Sequence, residues 1–468
     1  MLEIFGSRSR YCDGMSRRSF LRVGGFTFGT MAALPLADVL RAEAATGKKQ
    51  SHKAVIHIFL AGGPPHQDTF DLKLDGPGEY RGPFKAINTN VEGLQICEVF
   101  PKLAKIMDRF TLIRSVDGCK DRHDAYQCMS GWLRSDLAVG GGYPAVGSVI
   151  SRMHGPIHPS MPAAVGLAAP ATERRWSDPG DPGFLGPAYA PFRPFTVGAA
   201  PYDHAAKIDA STHGPGLEII RLQGMTLDRL QDRRRLLEAM DRTRRGFDSS
   251  DVQAMDASTR AAMEVLSSNR LADAFDLSKE SPQTRERYGD GKPYQFQYDG
   301  CPTANEQLLM ARRLVEAGAR SVTLSFGRWD SHSRNFDLVR DHGAKLDQAL
   351  SALVSDLQER GMLDDVLVLT WGEFGRTPKI NRQAGRDHWA PVNCALVAGG
   401  GYRHGQVIGS TTADGAYIES RPVHCQQVLA AVYRHMGVDP DSVTLNDRAG
   451  RPQYLLDYRE PIQEMVGA

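Results

Sequence analysis

Short runs of β-branched and other apolar residues alternate along the chain with segments whose apolar residues recur every three or four positions. The run Ala54-Val55-Ile56-His57-Ile58-Phe59-Leu60 predicts a buried strand, closed by the turn residues Gly62-Gly63-Pro64-Pro65. Phe110 to Val116 reads as a second strand. Leu308, Leu309, Leu314 and Val315 mark a helix that stops at Gly318, and Ser321 to Phe326 follows as a strand. Leu346, Leu350, Leu353 and Leu357 repeat the helical spacing up to Gly361, and Val366 to Leu369 is the next strand. A strand, a helix and a strand in this order form a β-α-β unit, which predicts an α/β fold with a largely parallel sheet. Asn393 to Ala398 adds another strand, and Val423 to Met436 reads as a closing helix.

Two segments depart from this alternation. A Pro/Gly-rich loop runs from Ala168 to Ala200, and a long charged helical stretch covers Leu217 to Leu277, so residues 168–300 read as a loop and helical insertion over one sheet edge. At the N-terminus, Ser16-Arg17-Arg18-Ser19-Phe20-Leu21 precedes a weakly apolar run from Val23 to Leu36. A charged region followed by such a run is a signal peptide, and Ala42-Glu43-Ala44 places cleavage before Ala45. The paired arginines point to the twin-arginine export machinery and a periplasmic or secreted protein, with a general secretory signal or an amphipathic anchor as the other reading. Residues 1–44 are then leader, and 45–468 form the working domain. No other window approaches the ~20 apolar residues that span a bilayer, so no membrane span is expected in the mature chain.

Composition narrows the chemistry by exclusion. Lys and Arg total 56 against 55 Asp and Glu, which leaves no clustered basic excess of the kind nucleic acid requires. Beyond Cys12 in the leader, Cys97, Cys119, Cys128, Cys301, Cys394 and Cys425 are widely spaced, with Cys119 and Cys128 as the close pair.

Polar residues cluster where the predicted strands end, which is where open parallel sheets bind ligands. The first strand leads to His66-Gln67-Asp68-Thr69-Phe70-Asp71, and the Ser321 strand leads to Trp329-Asp330-Ser331-His332. The Val366 strand leads to Trp371-Gly372-Glu373-Phe374-Gly375-Arg376, and Gly385-Arg386-Asp387-His388-Trp389 stands before the Asn393 strand. Imidazole and carboxylate together suit zinc, manganese or iron, and carboxylates alone suit magnesium or calcium. Such an ion polarises ester oxygens and activates water. Taken singly, these groups have ordinary structural uses: Asp330 as a cap, Glu373 paired with Arg376, Asp387 paired with Arg386.

These segments also resemble a known family. The leader, Phe59-Leu60-Ala61-Gly62-Gly63-Pro64-Pro65 with Asp68-Thr69-Phe70-Asp71, Trp329-Asp330-Ser331-His332, and above all Thr370-Trp371-Gly372-Glu373-Phe374-Gly375-Arg376-Thr377-Pro378 are similar to the bacterial exported family catalogued as domain of unknown function 1501. That family is similar in fold to the alkaline phosphatase and arylsulfatase superfamily. The resemblance implies a three-layer sandwich around a mostly parallel central sheet. It implies metal ligation by Asp330, His332, Glu373 and His388, with Phe374 where a second histidine would stand, and with His66 and Asp68 after the first strand in place of an immediate ligand. The superfamily's nucleophile is a hydroxyl or modified Cys at a helix start, but Asp121-Arg122-His123-Asp124-Ala125-Tyr126 offers none there. Either Thr69 takes that role, or water attacks with His123 or Asp124 as ligand or base. Arg376 is the expected binder of the anionic ester, or else a structural ion pair.

The sequence therefore predicts an exported metal-dependent hydrolase of phosphate or sulfate esters, using a divalent zinc, manganese, calcium or magnesium ion on a small-molecule or carbohydrate ester. The alternatives are a noncatalytic extracytoplasmic binding protein on the same scaffold and a phosphomutase-like enzyme, which would itself need a hydroxyl able to carry phosphate.

Overall fold

The computed structural model describes residues 52–167, 176–178, 180–194, 264–265, 268–289 and 300–466. The expected leader with its cleavage point, the helical stretch from 217 to 263 and the remainder of the expected insertion up to 300 lie largely outside the described residues; within it, short helices Arg270–Phe275 and Pro282–Tyr288 are seen.

Eight strands make one sheet: β1 (Ala54–Phe59), β2 (Phe110–Asp117), β3 (Ala164–Gly166), β4 (Ser321–Ser325), β5 (Val366–Trp371), β6 (Asn393–Gly399), β7 (Gln406–Ile408) and β8 (Val423–His424). Their order is β7-β2-β6-β5-β1-β4-β3, with β8 also on β2. Only β6 runs against its neighbours; the other pairings are parallel. The β-α-β unit is present, since β4 and β5 flank β1 on either side in parallel register.

Alternation along each strand sends side chains to two separate apolar cores. From β1, Ile56 and Ile58 join one core, and Val55 and Phe59 join the other. The first core is closed by α3 (Asn305–Ala317) and α4 (Asn335–Glu359). The second is closed by α1 (Ala125–Ser130), α2 (Val146–His154) and α5 (Cys425–His435). Helices on both faces of a mostly parallel sheet give an α/β three-layer sandwich. Both faces being buried explains why these strands read as near-continuous apolar runs.

The polarity of the strands decides where the chemistry can sit. The C-terminal ends of β1, β2, β4 and β5 share one edge, and β6, being reversed, begins there. Four connections therefore emerge side by side: Leu60–Pro65, Gly118–Asp124, Phe326–Arg334 and Gly372 onward. The stretch after β5 returns through a two-residue ribbon that pairs Gly375-Arg376 with His388-Trp389 just before β6. Helix α3 ends at Gly318 as its spacing predicts, whereas α4 begins well before Leu346. Edge strands β3 and β7 carry too few residues to show a period.

Candidate metal centre

Four side chains from three of these connections meet at one point. His123, Asp330, His332 and His388 each offer one ligand atom, and these atoms all lie within 4.8 Å of one another. His123 precedes α1, whose N-terminus is capped by the Asp124 carboxylate accepting from the Tyr126 N–H. Asp330 and His332 follow β4, and His388 comes from the ribbon before β6.

The rings are aimed by three further carboxylates. His123 Nδ1 bonds to Glu373 Oε1 at 2.7 Å, His332 Nδ1 to Asp387 Oδ1 at 2.6 Å, and His388 Nδ1 to Asp121 Oδ1 at 3.0 Å. A carboxylate accepts, so each Nδ1 carries the hydrogen and each Nε2 presents a lone pair. All three Nε2 atoms turn toward Asp330 Oδ1, at 3.4, 3.1 and 3.4 Å for His123, His332 and His388. The Nε2 atoms of His332 and His388 are 3.1 Å apart, and the buried Nε2 of His123 makes no hydrogen bond.

Lone pairs converging on a carboxylate oxygen repel unless a cation stands among them. In the protein alone that cation is a proton. Burial lowers the His123 pKa, but the carboxylates of Asp330 and Glu373 outweigh it and raise the group to about 9. His332 is raised by its bond to Asp330. Burial opposes ionisation of Asp330, yet the three histidines and Arg376 hold its carboxyl far below the usual range. The donor set also fits a divalent metal: adjacent ligands with bonds of about 2.0–2.2 Å stand a little over 3 Å apart, and carboxylate-held imidazoles are the usual outer support of such sites. His332 is 46 % exposed, so the centre opens to solvent on that side.

Several residues singled out by the sequence are used differently. Glu373 is fully buried and holds both His123 and the Gly62 N–H, the latter at 3.0 Å; it orients a ligand from behind. Arg376 is likewise fully buried. It donates to Gly63 O at 3.0 Å, Arg386 O at 3.1 Å, Gly62 O and Asp330 Oδ1, the last at 2.5 Å. Four of its five N–H groups are spent on these partners and the side chain has no exposed surface, so Arg376 positions Asp330. Asp68 pairs with Arg386 at 2.6 Å and accepts from Asn335 at 2.7 Å, and His66 Nε2 contacts Gly415 O at 2.8 Å; neither joins the centre. The Thr69 hydroxyl donates to Pro65 O at 2.9 Å inside the one-turn helix His66–Thr69 and is buried, which removes it as a nucleophile in this conformation.

The extra residues after β1 explain the displacement of His66 and Asp68. Gly62 and Gly63 adopt φ of 103° and 77°, and a Cβ on Gly62 would fall on the Asp330 backbone nitrogen. The β1 turn therefore supplies no ligand and instead lets the Asp330 backbone come close. Phe374 lies wholly buried, its ring centroid 5.1 Å from His123 and 4.6 Å from His388. Together with Trp176, 4.2 Å from His123, it walls the centre with apolar surface where a second ion would need ligands. Asp121 and Asp387 were missed as supports because a carboxylate next to a histidine in sequence gives no sign of which histidine it will hold.

Comparison with solved structures finds the sulfatase PsFucS1 from Pseudoalteromonas sp. at 12% identity and TM-score 0.35, covering 87% of this chain and 72% of that one. Alkaline phosphatase from the Antarctic bacterium TAB5 aligns at 12% identity and TM-score 0.33, over 83% of this chain and 99% of that one. Phosphonate monoester hydrolase of Agrobacterium radiobacter aligns at 11% identity and TM-score 0.31, over 82% and 74% of the two chains. At such values the chemistry rests on the side chains of this protein. Among curated proteins none matches. The family described as protein of unknown function (DUF1501) matches residues 52–466, and the chain belongs to that family.

Proposed function

We propose that the chain is an exported metal-dependent hydrolase of phosphate or sulfate esters, with one divalent ion held by His123, Asp330, His332 and His388. The observation that carries the reading is the convergence of three carboxylate-held imidazoles and one carboxylate on a point that is open to solvent. When bound, a divalent ion supplies Lewis acidity toward an ester oxygen and toward water. The chain's own residues do the rest. Asp330, fixed by Arg376, and the three aimed rings keep the site rigid. Exposed Lys120 and Arg122 flank Asp121 and His123 on one loop and favour an anionic substrate. Asp121 and Asp387, both exposed, hold the Nδ1–H of His388 and of His332 from the solvent side. With the Thr69 hydroxyl occupied, attack by water is favoured over a covalent route. Export by the twin-arginine machinery to the periplasm or beyond is part of the proposal, and is supported by the Arg17-Arg18 leader.

A noncatalytic binding protein is the second reading, and the complete set of four protein ligands favours it, since structural sites are closed and catalytic ones keep a position open. Turnover of aryl phosphate and aryl sulfate by the chain starting at Ala45, before and after chelation, separates the two. The hydrolase reading predicts activity that chelation abolishes and that zinc, manganese, calcium or magnesium restores. Stoichiometric metal with no turnover of either ester supports the binding protein instead.

A further inference from the structure

A dithiol lies behind the metal centre, in the second apolar core. Strand β8 runs parallel to β2 with Val423 beside Val116 and His424 beside Asp117. The chain after β8 continues at once into Cys425, the first residue of α5, while the chain after β2 reaches Cys119 two residues on. Cys119 and Cys425 thus stand close to the ends of two paired strands, in one apolar core. Both side chains are buried, and a Cβ on the intervening Gly118 would strike the His424 ring, so the two segments lie against each other. Cys128 is in the same core, but its thiol is paired with neither.

The two sulfurs are chemically unequal. Cys425 begins an eleven-residue helix, and the Nδ1 of its N-cap His424 accepts the Gln426 N–H at 3.2 Å and stands 3.9 Å from Cys425 Sγ. The neighbouring Cys119 thiol draws the Cys425 thiol down, while the Cys425 side chain and burial push Cys119 up. A thiolate at a helix N-terminus is the attacking partner in thiol–disulfide exchange, and a neighbouring thiol resolves the mixed disulfide.

We propose that Cys119 and Cys425 are joined as a disulfide through exchange with a small-molecule disulfide. The Cys425 thiolate attacks one sulfur of the oxidant, breaking its S–S bond and releasing one thiolate. Cys119 then loses its proton to solvent and attacks Cys425 Sγ, and the second thiolate of the oxidant leaves. The two cysteines lose two protons and two electrons, and the small disulfide becomes two thiols. The bridge ties the loop that carries Asp121 and His123 to the start of α5, and the export proposed above would place it where disulfides persist.

The test equilibrates the folded chain 45–468 with oxidised glutathione, then unfolds it in an alkylating agent and maps the peptides. The bridge predicts label on Cys97, Cys128, Cys301 and Cys394, one peptide pair linked through Cys119 and Cys425, and label on all six cysteines after reduction. A Cys128→Ser variant keeps the same linkage. Label on all six without reduction, a link from Cys119 to Cys128, or a glutathione adduct that persists on Cys425 overturns it. None of these outcomes depends on metal or on ester turnover.

Discussion

At the scale of single residues, the same side-chain type serves opposite ends according to its surroundings. Arg376 and Arg386 are both fully buried and both hold an aspartate, yet Asp330 faces the metal centre and Asp68 faces Asn335. Replacing Arg376 by Met leaves Asp330 and three carbonyls without their donor, and should cost about 3–5 kcal/mol, read as a lower urea midpoint. If Arg376 bound substrate instead, the variant would keep its midpoint and raise KM. Glu373→Gln tests the outer support: it keeps the volume but not the charge, and metal affinity measured by competition with a chelator should fall about 10–100-fold. An unchanged affinity would mean that Glu373 serves only the Gly62 N–H. His57 reports on acidity. It lies within β1, its Nε2 accepts the Trp371 indole N–H at 2.7 Å, and burial lowers its pKa to about 3. The unfolded chain binds that proton near pH 6.5, so stability present at neutral pH is lost as pH falls from about 6.5 toward 3. A His57→Gln variant should flatten the fall in urea midpoint between pH 7 and pH 5; an equal fall would contradict this assignment.

At the scale of elements, strands and their order carry most of what was legible. The apolar runs at Ala54, Phe110, Ser321, Val366 and Asn393 all became strands of the central sheet, because both its faces are buried and an unbroken apolar run leaves little else to form. The start of α4 was less visible, since the buried polar His342 and Asp347 interrupt its apolar face. The candidate centre was half legible. Asp330, His332 and His388 stand at strand ends, where sheet geometry gathers side chains. By contrast, the retreat of His66 and Asp68 depends on a close approach between two turns that no local pattern records. That approach predicts a contrast between two glycines of positive φ. Gly62→Ala places a methyl on the Asp330 backbone, whereas Gly361→Ala meets nothing within 4 Å. Each costs about 1–3 kcal/mol of backbone strain, but only the first should also weaken metal binding. Equal metal affinity in the two variants would separate the β1 turn from the site.

For the whole molecule, the reversed strand β6 matters as much as the parallel ones. By starting where its neighbours end, it brings His388 and Asp387 to the edge already holding His123, Asp330 and Glu373. The centre is thus assembled from segments far apart in sequence, and it exists only when the sheet is formed. An ion held there would bind only the folded state and should raise the thermal midpoint. Among the described residues of the chain starting at Ala45, no helix is long and apolar enough to cross a membrane. The most direct measurement is the metal content of that chain by elemental analysis, beside its His388→Ala variant, after exhaustive dialysis. The account predicts about one divalent ion per chain, and its loss in the variant with the fold retained by circular dichroism. A chain that holds no ion after loading, or a variant that holds as much as the parent, would contradict it.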